Sequence, residues 1–355
     1  MKSAAKLKPV RLAAKQMRQA RDVADLARLV NCEPAFLQHL ADNPPYDEFE
    51  IPKPNGKPRL IECPREPLRQ MLKLLARHLS CLYYFHRTMA AYGFVINPEG
   101  DTNPRTIFTN AMRHIGCRWL LNIDMKDFFH QVKTERVKQI VSSAPFALQS
   151  DAAQLFARLT TRKGRLPMGA NTSPALSNFA AVGLDNTLQH LALRHGLTYT
   201  RYVDDLTFSS SVEITNTTIC EIKSAIYAHG FMVNQQKILL KGPAETKVVT
   251  GLQLGEHRPV IPQLFFDELH TDIQRLTHAV EALMLSGFSR EQIHEKLKKF
   301  EKQIEGKLQF TAMIYGENST EFKQWHQRYE AASNTVVSEL ESINWRQWES
   351  YMGMM

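Results

Sequence analysis

The chain lacks the residues and patterns that mark several protein classes. Its five cysteines, Cys32, Cys63, Cys81, Cys117 and Cys220, are odd in number, scattered and without a Cys-x-x-Cys pair. That argues against a disulfide framework or a zinc site and fits a reducing, cytoplasmic setting. No apolar run reaches bilayer-spanning length, so no membrane partner is expected. The N-terminus, MKSAAKLKPVRLAAKQMRQAR, is basic and Ala-rich but has no apolar signal core, and it reads as a basic helical arm. Internal repeats and low-complexity linkers are absent as well.

The chain does have the means to fold and to meet a polyanion. With 355 residues, 43% of them hydrophobic, it can build two or three subdomains around a sizeable core. Lys and Arg number 44 against 36 Asp and Glu, a net charge of +8. Nucleic acid is the simplest partner for such a surplus; a merely basic soluble protein is the plain alternative.

Periodicity predicts helix over 10–42, stopped by Asn43-Pro44-Pro45, then a hairpin over 46–64 turning at Pro54-Asn55-Gly56. Helices are expected at 66–82 and 106–115, a strand at 119–124 and a mixed helical stretch at 134–160. A long apolar helix at 173–196 ends at Gly196; a hairpin follows at 198–210, a helix at 215–229 and a short strand with a glycine turn at 247–255. From about 264 the texture is helical, at 266–286, 290–305 and 319–340, with capping boxes expected at Ser289/Gln292 and Asn318/Glu321. The expected organisation is a basic arm (1–45), an α+β domain (46–263) with helices on one face of an antiparallel sheet, and a helical subdomain with a tail (264–355).

The hairpin RYVDDLTFS sets Asp204 and Asp205 side by side in a strand-like setting where Asp is disfavoured. At ~4 Å and an effective dielectric near 20, their repulsion is roughly 4 kcal/mol. Either the pair is a solvated turn tip or a cation is held there. Upstream, LLNIDMKDFF ends an apolar strand at Asp124. A strand-end carboxylate beside a hairpin-tip pair makes a site for two divalent cations, the arrangement that phosphoryl transfer needs. Phe128 and Phe129 follow; each is either a core aromatic or a ring placed against a nucleotide sugar. Asn110 and His114 of NAMRH share one helix face, either as a structural pair or as an RNA contact.

Taken in order, FEIPKPNGKPRLIECP, AYGFVIN, LLNIDMKDFFHQV, LPMGANTSPALSN, RYVDDLTFS, GFMVNQQKI and VVTGLQL resemble the seven blocks of reverse transcriptases. NAMRH (110–114) and VTG (249–251) resemble two motifs of the retron subgroup, and the likeness spans roughly 46–340. It implies a right-hand polymerase with fingers, palm and helical thumb. Asp124, Asp204 and Asp205 would be the catalytic, metal-binding aspartates for two Mg²⁺ ions, with Mn²⁺ as an alternative and the Met125 carbonyl as an extra ligand. Phe129 would be the sugar gate and Phe128 a core residue. Lys53 and Arg59 would meet the triphosphate, unless they are simply surface cations on a hairpin. Lys237 would stand near the metal–phosphate centre. Tyr202 and Val203 would flank the primer terminus, and Val249, Thr250 and Gly251 would grip the primer. Asn110, Ala111 and His114 would be the retron mark.

One departure stands out. The fourth block usually reads Leu-Pro-Gln-Gly, whereas this chain has Leu166-Pro167-Met168-Gly169. Met168 can pack on a nucleotide but cannot hydrogen-bond as glutamine does. Gly169 still permits close backbone approach.

The resemblance further implies synthesis of msDNA from a cognate non-coding RNA, primed at a guanosine 2′-hydroxyl, with deoxynucleoside triphosphates as substrates and a role in antiphage defence. Arg290, Lys296, Lys298, Lys299 and Lys302 would be candidates for RNA contact or a solvated charged face. With no ribonuclease H domain or effector in view, a host ribonuclease H and a separate effector protein are expected partners. The rival readings are another bacterial reverse transcriptase class, such as a group II intron maturase or a diversity-generating enzyme, a non-catalytic RNA-binding scaffold, and an RNA-templated RNA polymerase.

Overall fold

The computed structural model describes residues 7–52, 56 and 58–334. Lys53, Pro54 and Asn55 of the first hairpin and the C-terminal segment INWRQWESYMGMM lie outside the described residues. The chain divides into two compact units, Met1–Thr250 with Glu256–Arg258, and Gly251–Gly255 with Pro259–Met355.

In the first unit the expected N-terminal helix is three helices: α1 (Lys8–Gln19), α2 (Val23–Leu29) and α3 (Pro34–Asp42). The breaks have local causes. Ala20 turns extended, Asp22 and Asp25 form a capping box that starts α2, and Asn31 adopts a left-handed φ of 54° before Pro34 opens α3. Strands β1 (Tyr46–Pro52) and β2 (Pro58–Pro64) pair antiparallel, Tyr46 facing Pro64. Helix α4 (Leu68–His86) buries Leu68, Met71, Leu72, Leu75 and Leu79, the stripe its periodicity predicts, and packs on α1, where His78 Nδ1 lies 3.1 Å from the Ala13 carbonyl.

The centre of this unit is an antiparallel four-stranded sheet in the order β4-β5-β3-β6, made of β3 (Trp119–Asp124), β4 (Thr198–Tyr202), β5 (Asp205–Ser210) and β6 (Leu239–Lys241). Around it lie α5 (Ile107–Met112), α6 (Phe128–Gln131), α7 (Thr134–Val141), α8 (Ser150–Thr160), α9 (Ser173–Arg194) and α10 (Asn216–Ala228). Leu121, Ile123, Leu206 and Phe208 share one core with Leu176, Leu184 and Leu188 of α9. Helix α9 is buried along most of its length, including the polar side chains of Asn178 and Asp185. This is the α+β arrangement the sequence predicts. Strand β7 (Val248–Val249) closes the unit's list of strands.

The second unit pairs β8 (Leu252–Leu254) with β9 (Pro259–Val260) and continues as α11 (Gln263–Leu285), α12 (Arg290–Tyr315) and α13 (Thr320–Ser333). Leu269, Leu276, Val280, Leu297, Ile304 and Leu308 form its own core. The Ser289/Gln292 capping box is present. The second box is not: Ser319, not Asn318, caps α13, taking the N–H of Phe322 at 3.1 Å, because the helix begins one residue later than expected. Among the described residues no helix is long and apolar enough to cross a membrane.

Candidate active site

Antiparallel pairing of β3 with β5 sets Asp124 directly opposite Asp205. Tyr202 pairs with Asp205 across the β4–β5 hairpin, so Val203 and Asp204 alone make the turn. Val203 takes a left-handed φ of 61° at the first loop position, where such a hairpin prefers glycine; for a β-branched residue this costs free energy. The surroundings hold it there. Arg201 N–H donates to the Ala90 carbonyl (2.7 Å), Tyr92 N–H donates to the Arg201 carbonyl (2.8 Å), and Met125 N–H donates to the Asp204 carbonyl (2.9 Å). Gly93 lies so close that a Cβ would sit 2.6 Å from both the Val203 nitrogen and its Cγ2.

The three carboxylates differ in their surroundings. Asp124 has both oxygens engaged: Asn234 Nδ2 donates to Oδ1 (3.0 Å) and Lys237 Nζ to Oδ2 (2.8 Å). The Lys237 ammonium is held charged more firmly than usual, first by that hydrogen bond and then by the surrounding carboxylates. Burial raises the Asp204 pKa above the usual carboxylate range, with Asp124 adding to the rise while Lys237 and Arg59 oppose it. Asp205 is exposed as a residue, yet desolvation at the crowded turn, then the charges of Asp204 and Asp124, push it up to about 6. Crowded anionic oxygens with raised pKa values are what a divalent cation relieves. The donor set suits Mg²⁺ in kind. Among the described residues no three such side chains yet gather about one point, and Lys237 supplies the positive charge at Asp124.

Phe128 is buried and packs on Phe231, ring centroids 5.4 Å apart. Phe129 is partly exposed, and its ring lies 6.0 Å from that of Phe94, an exposed aromatic at a left-handed φ of 56°. Met168 accepts from Glu62 N–H of β2 (2.7 Å). Gly169, at φ 132°, approaches the same residue so closely that a Cβ would meet the Glu62 carbonyl at 2.7 Å.

His114 is 1% exposed, its Nδ1 and Nε2 each 2.7 Å from the hydroxyls of Ser209 on β5 and Thr200 on β4. Burial, with Arg113 adding to it, pushes its pKa down to about 3. Asn110 and Ala111 are fully buried too, while Met112 and Arg113 of the motif face solvent, so it is His114 that ties the motif to the sheet. Thr250, at φ 48°, donates its hydroxyl to the Ile107 carbonyl (3.3 Å), so the second retron-like motif meets the start of α5, the helix that carries Asn110 and Ala111 of the first. Val249 is fully buried and Gly251 takes φ 81°.

The structure thus brings Asp124, Met125, Tyr202, Val203, Asp204, Asp205 and Lys237 to one end of the sheet, short of converging the three carboxylates on a point, with Arg59 near enough for its charge to act on Asp204. The described residues do not include Lys53. Sequence reasoning missed Asn234, Gly93, Arg201, Asn178 and Asp185. Asn234 stood three residues before Lys237 in the same block. The buried polar pair on α9 had a signal too: polar residues inside an otherwise apolar helix.

The family model described as reverse transcriptase (RNA-dependent DNA polymerase) matches residues 51–252. The retron Mx65 reverse transcriptase of Myxococcus xanthus is 30% identical over 285 residues, covering 70% of this chain and 63% of that protein. The retron Mx162 enzyme of the same organism is 30% identical over 61% of this chain and 49% of its own length. The retron Ec86 enzyme of Escherichia coli is 31% identical over 50% of this chain and 55% of its own. The chain therefore spans less than two thirds of the length of each of these relatives. Among solved structures, a telomerase from Candida tropicalis aligns with a TM-score of 0.43 at 13% identity, covering 62% of this chain and 55% of that one. The family match takes in more than half of the chain and contains Asp124, Asp204 and Asp205 together, so this chain belongs to the reverse transcriptase family, of the retron type.

Proposed function

We propose that the protein synthesises DNA on an RNA template, and that its template is a cognate retron non-coding RNA primed from a guanosine 2′-hydroxyl to give msDNA. The observation that carries this reading is the cross-strand placement of Asp124 against Asp205 with Asp204 in the adjoining turn. Two Mg²⁺ ions bound there would lower the pKa of the priming hydroxyl and neutralise the departing pyrophosphate. The chain's own residues do the positioning. Asp124 and Asp205 present carboxylate oxygens from neighbouring strands, and Lys237 leaves Asp124 free to ligate by turning toward the phosphates. Phe129, partly exposed beside Phe94, excludes a sugar 2′-hydroxyl and favours deoxynucleotides. Met168 would pack on the nucleotide where the glutamine usual in this block would hydrogen-bond. Exposed Lys299 and Lys302 of α12 suit contact with RNA phosphates.

On this reading the protein acts in the cytoplasm within an antiphage defence system, beside a separate effector protein and a host ribonuclease H. Sequencing the nucleic acid that co-purifies with wild type and with Asp204→Asn/Asp205→Asn tests it. A defined RNA joined through a 2′–5′ branch to a short DNA, with the DNA missing from the variant, is expected. A defined RNA without DNA in either sample would favour a scaffold, and heterogeneous RNA with linear DNA another class of reverse transcriptase.

A further inference from the structure

Arg201 precedes the aspartate turn and is fully buried on β4. Its Nε and Nη2 donate to the two carboxylate oxygens of Asp185 on α9, at 2.7 and 2.8 Å, and its Nη1 donates to Asn178 Oδ1 (3.0 Å) and to the Val203 carbonyl (3.1 Å). Asp185 also accepts from the hydroxyls of Tyr199 (2.9 Å) and Thr88 (2.8 Å). Asn178 Nδ2 reaches the Gly93 carbonyl at 3.0 Å and that of Phe94 at 3.4 Å. One buried network therefore grips both sides of the strained turn: the carbonyl of Val203 and the Gly93–Phe94 backbone pressed against it. A buried ion pair is weak evidence for stability in itself. Here the guanidinium spends one donor on the carbonyl of the residue whose backbone is strained, and that strain sets where Asp204 and Asp205 point.

We propose that Asp185, Arg201 and Asn178 are positioning residues for the divalent-cation site, acting through the Val203 carbonyl. The inference rests on the reading of Asp124, Asp204 and Asp205 given above. Partners that hold metal ligands without touching the metal typically change affinity or activity about 10–100-fold when removed. Lysine cannot replace the planar fork of Arg201 at two sites at once.

The test compares wild type, Asn178→Ala and Arg201→Lys for Mg²⁺ half-saturation of DNA synthesis on a primed RNA template, KM for deoxynucleotides, and Tm with and without Mg²⁺. Asn178→Ala removes a neutral partner and leaves no buried charge unpaired, so it keeps the test open if Arg201→Lys does not fold. The expected result is a rise of about tenfold in the Mg²⁺ requirement, recovery of rate at high Mg²⁺, and a smaller Mg²⁺-induced Tm rise, with deoxynucleotide KM nearly unchanged. A lowered metal-free Tm with an unaltered Mg²⁺ requirement would overturn the proposal and leave the site reading intact. A wild-type protein with neither synthesis nor a Mg²⁺-induced Tm rise would overturn the site reading, and this proposal with it.

Discussion

His114 makes the stability of the first unit depend on pH in a way that can be isolated. Its folded pKa is about 3 against an ordinary value of 6.5, because burial excludes the imidazolium and Arg113 repels it. Between those values the unfolded chain binds a proton that the folded chain refuses. Stability therefore falls as pH drops below 6.5, and the loss is complete near 3; above 6.5 the group contributes no slope. The slope is about 1.4 kcal/mol per pH unit, so going from pH 6.5 to 5 removes roughly 2 kcal/mol. Burial also pushes the pKa values of His86, His130 and His229 down, so wild type alone cannot assign the slope. His114→Gln retains a group that can bond Ser209 or Thr200 but does not titrate. Urea unfolding of both proteins at pH 7.5, 6.5 and 5 gives the difference directly. The variant should be the less stable at pH 7.5, and its deficit should shrink by roughly 2 kcal/mol at pH 5. A deficit constant to within ~0.5 kcal/mol across that range would refute the reasoning, because the histidine would then be charged in the fold.

Three other outcomes follow from the site. Asp205 titrates near 6 without metal, so Mg²⁺ should raise Tm at pH 7.5, and that gain should fade as the pH drops through 6 and the carboxyl becomes neutral; thermal melts with Mg²⁺ or EDTA check it. Gly93→Ala would drive a Cβ to 2.6 Å from Val203, costing about 1–3 kcal/mol of stability and lowering DNA synthesis about a hundredfold, read by urea unfolding and primer extension. Phe129→Val should raise the ribonucleotide to deoxynucleotide ratio of kcat/KM about tenfold or more, measured by single-nucleotide incorporation; an unchanged ratio would return Phe129 to the core.

Much of the fold is legible where apolar period and turn chemistry agree. The stripe of α4, strand β3, the β4–β5 hairpin and helix α9 all fall near their expected places. The N-terminal helices are less so, because Asp22, Asn31 and Pro34 interrupt a pattern whose apolar spacing runs straight through. Strand β6 escaped notice since its three residues take their conformation from pairing with β3. At the site, a carboxylate pair and an upstream strand-end Asp are visible as letters, and their register is not. What stayed hidden is whatever depends on long-range contact: Gly93 against Val203, Arg201 against Asp185, Asn234 against Asp124. The direction of NAMRH was also illegible, because two residues on one helix face fit a buried pair and a surface contact equally. Burial of Asn110 and His114 favours the former.

Strand β3 lies between β5 and β6, and both partners come much later in the chain. A ribosome adding ~5–20 residues per second takes on the order of 4–16 s to make the stretch between Asp124 and Asp205. Throughout that interval the apolar segment WLLNID has two open edges and no sheet to join. Chains truncated between 125 and 204 should therefore accumulate as aggregates, and slower elongation over this window should lower soluble yield even though the finished protein is unchanged. The order in which the strands are made thus turns an arrangement useful for chemistry into a hazard during synthesis.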